Sequence, residues 1–548
     1  MSDATRTSHR TGRATAVVGL AVMCSRVLGL AREILFGALF GAKQMEYFIA
    51  AFRIPNLLRD LFAEGALSTA FITVFTKKIT KEGQESAWRL ANRIGTLTVV
   101  FMGVITVLGM LLSNNLIGWI ASGFVGKTAS GYPGGDALLT AQLTTVMFPF
   151  ILMVSVAAQV MGMLNAKRVF GWPAMASSFF NIGSIVGGLI LAYIMDRGFG
   201  PRALFGLAYG TLIGGFLQLA VQIPALRKVG YHPRLDFHWR DSGVMDVLRT
   251  MAPAIVAASA VQVNVLVNTT FATHTEPGSV TWLNYAFRLM QLPLGIFGVA
   301  VGTVILPLLS EKAALGHRDE FRSALARGIR LVFFLTIPAS AGLWMLAEPI
   351  LSVIYEHGKM SAYDIQQSAA ALQYYAIGLA AYSGMKVLAP AFYAIGRRKT
   401  PMVISFVSMG VNLGLNSLFF RWGWGFRGLA ISTGVIALAN FGALYFFMWQ
   451  EVTRLETRRL LVTLAKIFLA TDAMVAVCFA CDWLMLSQWS HMGLVLRIIS
   501  LLVTIALACG AFAFTAALLK LREMKDLLAA FARRLARRRS RPIEPPLS

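Results

Sequence analysis

The sequence predicts an all-α polytopic membrane protein of about fourteen transmembrane helices, built as two six-helix pseudo-symmetric lobes followed by two C-terminal helices. Three observations lead there. Of 548 residues, 57% are hydrophobic and only 14% charged, with a mean hydropathy of +0.65; a soluble domain carries nearer ~25% charge. Apolar stretches of about twenty residues recur from end to end, long enough to cross a bilayer. They are continuous rather than alternating, which excludes a β-barrel. Finally, Lys and Arg gather in alternate loops, the asymmetry that orients helical membrane proteins.

In chain order, a polar, basic tail over 1–14 leads into the first span, with no small-residue cleavage site of a secretory signal. Spans are predicted at 15–40, 46–76, 91–113, 137–163, 171–194, 203–226, 243–273, 279–309, 326–347, 365–394, 401–421, 427–449, 461–486 and 492–519. One set of loops holds Lys77, Lys78, Lys81, Arg89 and Arg93, then Lys167 and Arg168, then Arg227, Lys228 and Arg234. It continues with Lys312, Arg318 and Arg322, then Arg397, Arg398 and Lys399, then Arg454, Arg458 and Arg459. The opposite loops carry little beyond Lys127, Arg197 and Arg427. By the positive-inside rule the basic loops and both termini are cytoplasmic, which requires an even number of spans. The net charge of +24 therefore reads as topology and as contact with anionic lipid headgroups, with no nucleic-acid partner. The tail over 520–548, with Arg533, Arg534, Arg537, Arg538, Arg539 and Arg541, is expected to lie on the anionic cytoplasmic leaflet.

The chain also repeats itself. Arg53-Ile-Pro55, an apolar run and Lys77-Lys78 resemble Gln291-Leu-Pro293, an apolar run and Glu311-Lys312. The stretch from Asn165 to Pro173 resembles that from Ala394 to Pro401, and Gly206-Leu-Ala208 resembles Gly428-Leu-Ala430. Offsets of about 220–240 residues in consistent order mark an internal duplication. An N-lobe over 15–226 thus matches a C-lobe over 243–449, with 461–519 outside the repeat. Copies with an even number of spans share one orientation, as in alternating-access transporters whose site lies between lobes.

Charged residues inside the spans are the candidates for function. An arginine at the centre of a spanning helix costs roughly 2.5–3.5 kcal/mol, so Arg26, Arg32, Arg59 and Arg288 are expected to face a wet cavity and to bind an anion. Arg26 and Glu33 are spaced to share a helix face, where they could form a structural ion pair, and Gly29 between them suits a bend. Pro55 should break or bend the second span and free backbone groups. Asp60 and Glu64, at i and i+4, can partly neutralise Arg59. Arg288 has no acidic neighbour within a turn. Lys386 either faces the cavity or snorkels. Asn412 and Asn416 share a face and either bridge helices or, as weak candidates, hold a cation. Cys478 and Cys481 form a CxxC within a span, read as packed small hydrophobes rather than a redox or metal motif. No phosphate loop, HExxH or nucleophile elbow is present, so neither an ATP-driven step nor bond-making chemistry is expected.

Several of these motifs have a familiar form. Ser25-Arg-Val-Leu-Gly-Leu-Ala-Arg-Glu33, the run from Arg53 to Ala66, Tyr285-Ala-Phe-Arg-Leu-Met-Gln-Leu-Pro-Leu-Gly295, Lys386-Val-Leu-Ala-Pro-Ala-Phe-Tyr393 and Thr400-Pro401 resemble the MurJ (MviN) family. The resemblance covers residues 15–520. It implies the multidrug/oligosaccharidyl-lipid/polysaccharide exporter fold and movement of lipid II, the undecaprenyl-pyrophosphate-linked peptidoglycan precursor, from inner to outer leaflet of the bacterial inner membrane. It implies that Arg26, Arg32, Arg59 and Arg288 bind the diphosphate and that Glu46 holds the family's acidic position after the first span. It also implies that 461–519 forms a groove for the lipid tail, and that the partners include lipid II and the cell-wall synthesis machinery. Three positions depart: Phe287 stands where Asp is usual, Asp60 where a second basic residue is usual, and Asn412 and Asn416 where some members place an acid of a sodium site.

The expected mechanism is alternating access, without cofactor or ATP, driven by membrane potential or an ion gradient; a potential acts at about 2.3 kcal/mol per charge per 100 mV. One alternative is a related-fold exporter of drugs or of another polyprenyl-linked oligosaccharide. Another is a membrane glycosyltransferase, for which Glu46 and Glu348 would be the acids.

Overall fold

The computed structural model describes residues 3–452, 455–486, 489 and 492–525, without the side chains of 3–17, 63–66, 68–69, 257, 260 and 486. Arg454, the side chain of Glu64 and the tail arginines from Arg533 onward lie outside this description. The described residues form helices joined by short connections, with no strand among them. The helices are α1 (Asp3–Leu58), α2 (Ser68–Glu82), α3 (Gln84–Leu111), α4 (Ser113–Ile120), α5 (Asp136–Met147), α6 (Pro149–Ala166), α7 (Gly171–Met195), α8 (Leu204–Ala220), α9 (Ile223–Lys228) and α10 (Ser242–Thr273). They continue with α11 (Ser279–Pro293), α12 (Ala300–Ala314), α13 (Arg318–Met345), α14 (Ala347–Tyr355), α15 (Ala362–Ala394), α16 (Lys399–Arg421), α17 (Gly425–Glu451), α18 (Thr457–Cys481) and α19 (Leu494–Leu518).

Among the described residues, ten helices are long and apolar enough to cross a membrane, and a pair within α10 bent by 43° supplies an eleventh span. The remaining predicted spans, 15–40, 46–76 and 365–394, fall short because of the residues that make them interesting. Arg26, Arg32 and Glu33 sit in the first, Arg53, Arg59 and Asp60 in the second, and Lys386 in the third. With these three, the spans come to about fourteen, each helix satisfying its own backbone as the bilayer demands.

Packing divides the chain into two compact units: Met1–Trp282 with Tyr355–Asp364, and Leu283–Ile354 with the chain from Ile365. This is a partition by packing, and it differs from the partition by repeat because α10 packs against the Arg59–Leu67 stretch and α2. The first unit is built on Phe71, Phe75, Leu90, Ile94 and Leu164 and on Ile54, Met102, Phe148 and Ile151. Its α7 and α8 meet backbone to backbone. A Cβ on Gly206 would lie 2.1 Å from the Ala192 nitrogen, and one on Gly210 would lie 2.4 Å from Gly188 Cα. Small residues at a membrane interface permit this close approach, since lipid supplies no hydrophobic drive between helices. In the second unit, α18 and α19 join the core: Ile467, Met474 and Phe512 are buried with Phe334, whose ring lies 5.2 Å from that of Phe512. The free Cys478 and Cys481 are buried in this packing.

Helix irregularities set up the site. The break in α1 falls at Gly41 (φ 71°, ψ 171°) and not at Gly29, through which the helix runs unbroken. The Ala38 carbonyl, freed at the end of this segment, accepts the Lys359 backbone N–H at 2.7 Å. Pro55 does not break α1; four residues later the helix widens into a π-helical stretch, Arg59–Leu67. Lacking an N–H, Pro55 leaves the Ala51 carbonyl without its helical partner, and the Thr144 hydroxyl donates to it at 3.3 Å. The matching Pro293 is likewise followed by a π-helical stretch, Leu294–Val299.

Candidate functional site

In the first unit the arginines rise from α1 and the π-helical stretch after it. Arg26 is exposed and forms no ion pair with Glu33. Arg32 lies over the Phe180 ring of α7, with its guanidinium carbon 5.3 Å from the ring centroid, within cation–π range. The neighbouring Asn181 donates from Nδ2 to the Ser25 carbonyl at 3.0 Å. Phe180 and Asn181 therefore fix the two turns of α1 that present Arg26 and Arg32. Sequence reasoning missed both; the available signal was an amide-bearing residue in the middle of an apolar span, where polar groups bridge helices.

Arg59 is answered locally. Its Nε and Nη2 donate to Asp60 Oδ1 at 3.2 and 2.9 Å. The other carboxylate oxygen accepts from Asn56 Nδ2 at 3.4 Å and from Gln262 Nε2 of α10 at 3.2 Å. Asp60 thus holds Arg59 and ties the π-helical stretch to α10. The pair stays about one quarter exposed, so it is neither a fully buried charge nor a freely solvated one. Gln262 was not anticipated, because its partner lies two hundred residues away in sequence.

Glu46 is 2% exposed and accepts the Gly278 backbone N–H at 2.8 Å. Beside it, the Tyr47 hydroxyl donates to Asp136 at 3.1 Å, and the Thr281 hydroxyl donates to the Ala42 carbonyl at 2.8 Å. This is a lock between α1 and the turn before α11, and it closes Glu46 off from solvent. The Tyr355–Asp364 segment adds to it. Lys359 Nζ donates to the Gly198 and Phe199 carbonyls at 2.8 and 3.1 Å, and Asp364 accepts from Trp282 Nε1 at 3.0 Å.

In the second unit, Arg288 is half-buried on α11. Phe287 packs edge-on against Tyr375 at 5.5 Å. Lys386 is exposed on α15; its carbonyl, freed by Pro390, would lie 2.5 Å from a Cβ on Gly302 of α12. Asn412 and Asn416 are fully buried and bridge helices: Asn416 donates to Asn412 Oδ1 at 3.0 Å, and the Ser432 hydroxyl of α17 donates to Asn416. Each amide oxygen accepts a hydrogen bond, the geometry of the helix-bridging reading.

These elements bring cationic side chains onto helices that are broken or widened nearby, the arrangement by which membrane transporters hold anionic substrates. Residues 36–500 match the family model described as lipid II flippase MurJ. The chain belongs to that family. Arg59, Arg288 and Glu46 lie inside the matched region, and Arg26 and Arg32 just precede it. Relatives extend further. The probable lipid II flippase MurJ of Bdellovibrio bacteriovorus is 36% identical over 89% of this chain and 91% of its own length. That of Vibrio cholerae is 33% identical over 95% and 98%. The fold matches a solved structure titled lipid II flippase MurJ, inward closed conformation, with TM-score 0.75 and 24% identity over 92% of this chain and 99% of the other. An inward-facing multidrug resistance MATE family transporter of the MOP superfamily matches less well, with TM-score 0.65 and 16% identity. The family's shared fold is thus common to transporters of different cargo, and the cargo must be argued from the site.

Proposed function

We propose that the chain is a lipid II flippase, moving the lipid-linked peptidoglycan precursor from the inner to the outer leaflet of the bacterial inner membrane by alternating access. It is a transporter, not an enzyme. Membership of the lipid II flippase family carries this reading. In it, the guanidinium groups of Arg26, Arg59 and Arg288 are charge-assisted donors to the lipid diphosphate, and Arg32 assists or gates. Planar guanidinium forks suit phosphate oxygens better than a lysine does. Glu33, Glu46, Pro55, Asp60, Glu64 and Lys386 support or gate. The repeat halves 15–226 and 243–449 are the parts that alternate, 461–519 holds the lipid tail, and both termini are cytoplasmic. Cell-wall synthesis enzymes supply and consume the cargo.

Drive comes from the membrane potential or an ion gradient, in keeping with a sequence that carries no phosphate-loop motif. A potential negative inside pushes a diphosphate outward and draws an empty arginine cavity back. The test is rescue of cells depleted of their own lipid II flippase. Growth restored by this chain supports the reading; failure to rescue despite normal expression favours export of a different polyprenyl-linked or drug cargo on the same fold.

A further inference from the structure

The connection between α9 and α10 is built, not slack, and it displays apolar side chains. Tyr231 donates to Asn92 at 2.7 Å, the Arg234 backbone N–H to Asn92 at 3.0 Å, and the Asp236 backbone N–H to Thr96 at 3.0 Å. Arg93 grips Asp236 at 3.0 Å and Asp241 at 2.7 Å. Burial alone would raise the Asp236 carboxyl, but the backbone and ring of His238 and the Arg93 guanidinium hold it below the usual carboxylate range. The segment is therefore pinned along the first turns of α3. Yet Leu235 is 77% exposed and Phe237 60%, alternating with the exposed Arg234, His238 and Arg240.

Register on α3 shows what faces these residues. Asp236 is level with Thr96, and one turn further on, about 5.4 Å, α3 opens an exposed apolar surface at Val99, Val100 and Phe101. Leu235 and Phe237 thus project beside the point where the lipid-facing surface of α3 begins. Next to them, a cavity of about 580 Å³ is lined by Arg93, Phe237, His238, Trp239, Arg240 and Asp241. The Trp239 indole N–H is buried there without an acceptor among the described residues. The Arg93 guanidinium is taken by Asp236 and Asp241, so the exposed Arg240 is the cation here that suits a phosphate oxygen, and Trp with basic residues is the composition of a membrane interface.

We propose that residues 232–240 are an interfacial anchor that seats Leu235 and Phe237 in the adjacent leaflet and binds the headgroup phosphate of an anionic phospholipid through Arg234, Trp239 and Arg240. The ligand is a bilayer lipid rather than the transported cargo, and the continuity with the apolar surface of α3 favours it over a protein partner.

The test uses the full chain with its four cysteines replaced, spin-labelled singly at Leu235→Cys, Phe237→Cys or His232→Cys, in nanodiscs containing phosphatidylglycerol. Labels at 235 and 237 should show a several-fold higher ratio of oxygen to nickel-complex accessibility than the label at 232. That contrast should shrink when phosphatidylcholine replaces phosphatidylglycerol, and also in Arg234→Gln/Arg240→Gln, but persist in Arg234→Lys/Arg240→Lys. Water-exposed labels at 235 and 237, in protein free of any partner, overturn the insertion. A contrast indifferent to both lipid charge and the glutamine pair overturns the headgroup site.

Discussion

In the first copy of the repeat, Pro55 leads into a π-helical stretch that carries the Arg59–Asp60 pair, held from both sides by Asn56 and Gln262. In the second, Pro293 leads into a π-helical stretch, Leu294–Val299, with no charged residue. There Gly298 is buried with its Cα facing Ser383 of α15; an added Cβ would lie 3.2 Å from the Ser383 backbone. The same backbone device is thus loaded with electrostatics in one copy and close packing in the other. π-Helical segments are uncommon and collect at functional sites, so both are read as bending points. Only the first places a guanidinium on the bend itself; in the second, Arg288 precedes it by more than a turn. The π-helical stretch after proline thus occurs twice, and charged residues stand in only one of the two.

That contrast can be broken from the packing side first. Gly302→Val, just beyond the apolar bend, drives a branched side chain into the Lys386 carbonyl and should cost on the order of 3 kcal/mol, read as a lowered midpoint of thermal unfolding. A wild-type midpoint would mean α12 and α15 do not approach as closely as described.

The polar bend is tested by Asp60. Asp60→Ala leaves Arg59, Asn56 and Gln262 without their shared acceptor, at about 1–2 kcal/mol, while Asp60→Asn should recover part of that loss. Equal stability of Asp60→Ala and the wild type would remove the distinction between the two bends.

The smallest effect falls on the α7 supports. Asn181→Ala and Phe180→Leu each give up an interaction of about 0.5–1 kcal/mol. Each should weaken binding of a diphosphate lipid by a few-fold and lower the unfolding midpoint modestly, Phe180→Leu the more because its ring is buried against Phe150. A large loss of stability with unaltered binding would make these residues scaffolding only.

Hydropathy and charge placement were enough to read the helical class and, roughly, the number of spans. Arg59 beside Asp60 was legible because an acid next to an arginine within an apolar stretch can partly neutralise it. Other features depend on partners distant in sequence. Gly29 and Gly41 both stand between apolar residues, and only the Lys359 N–H available to Ala38 distinguishes the one that breaks α1. The shift from α to π bonding after Pro55 and Pro293 changes no periodicity that composition records. Asn412 and Asn416 were read as a bridge or a cation pair, and the hydroxyl of Ser432 on the next helix could not be placed there from spacing alone.

The central claim is that arginines of both units handle the lipid diphosphate. The most direct measurement is the rate of lipid II flipping in vesicles by Arg26→Ala and Arg288→Ala, beside Arg397→Ala, which loses only an ion pair with Glu451. The account predicts that the first two slow by about tenfold or more, as expected for loss of a charge-assisted bond worth roughly 1.5–3 kcal/mol, and that Arg397→Ala stays near the wild type. Normal flipping by both Arg26→Ala and Arg288→Ala would contradict it.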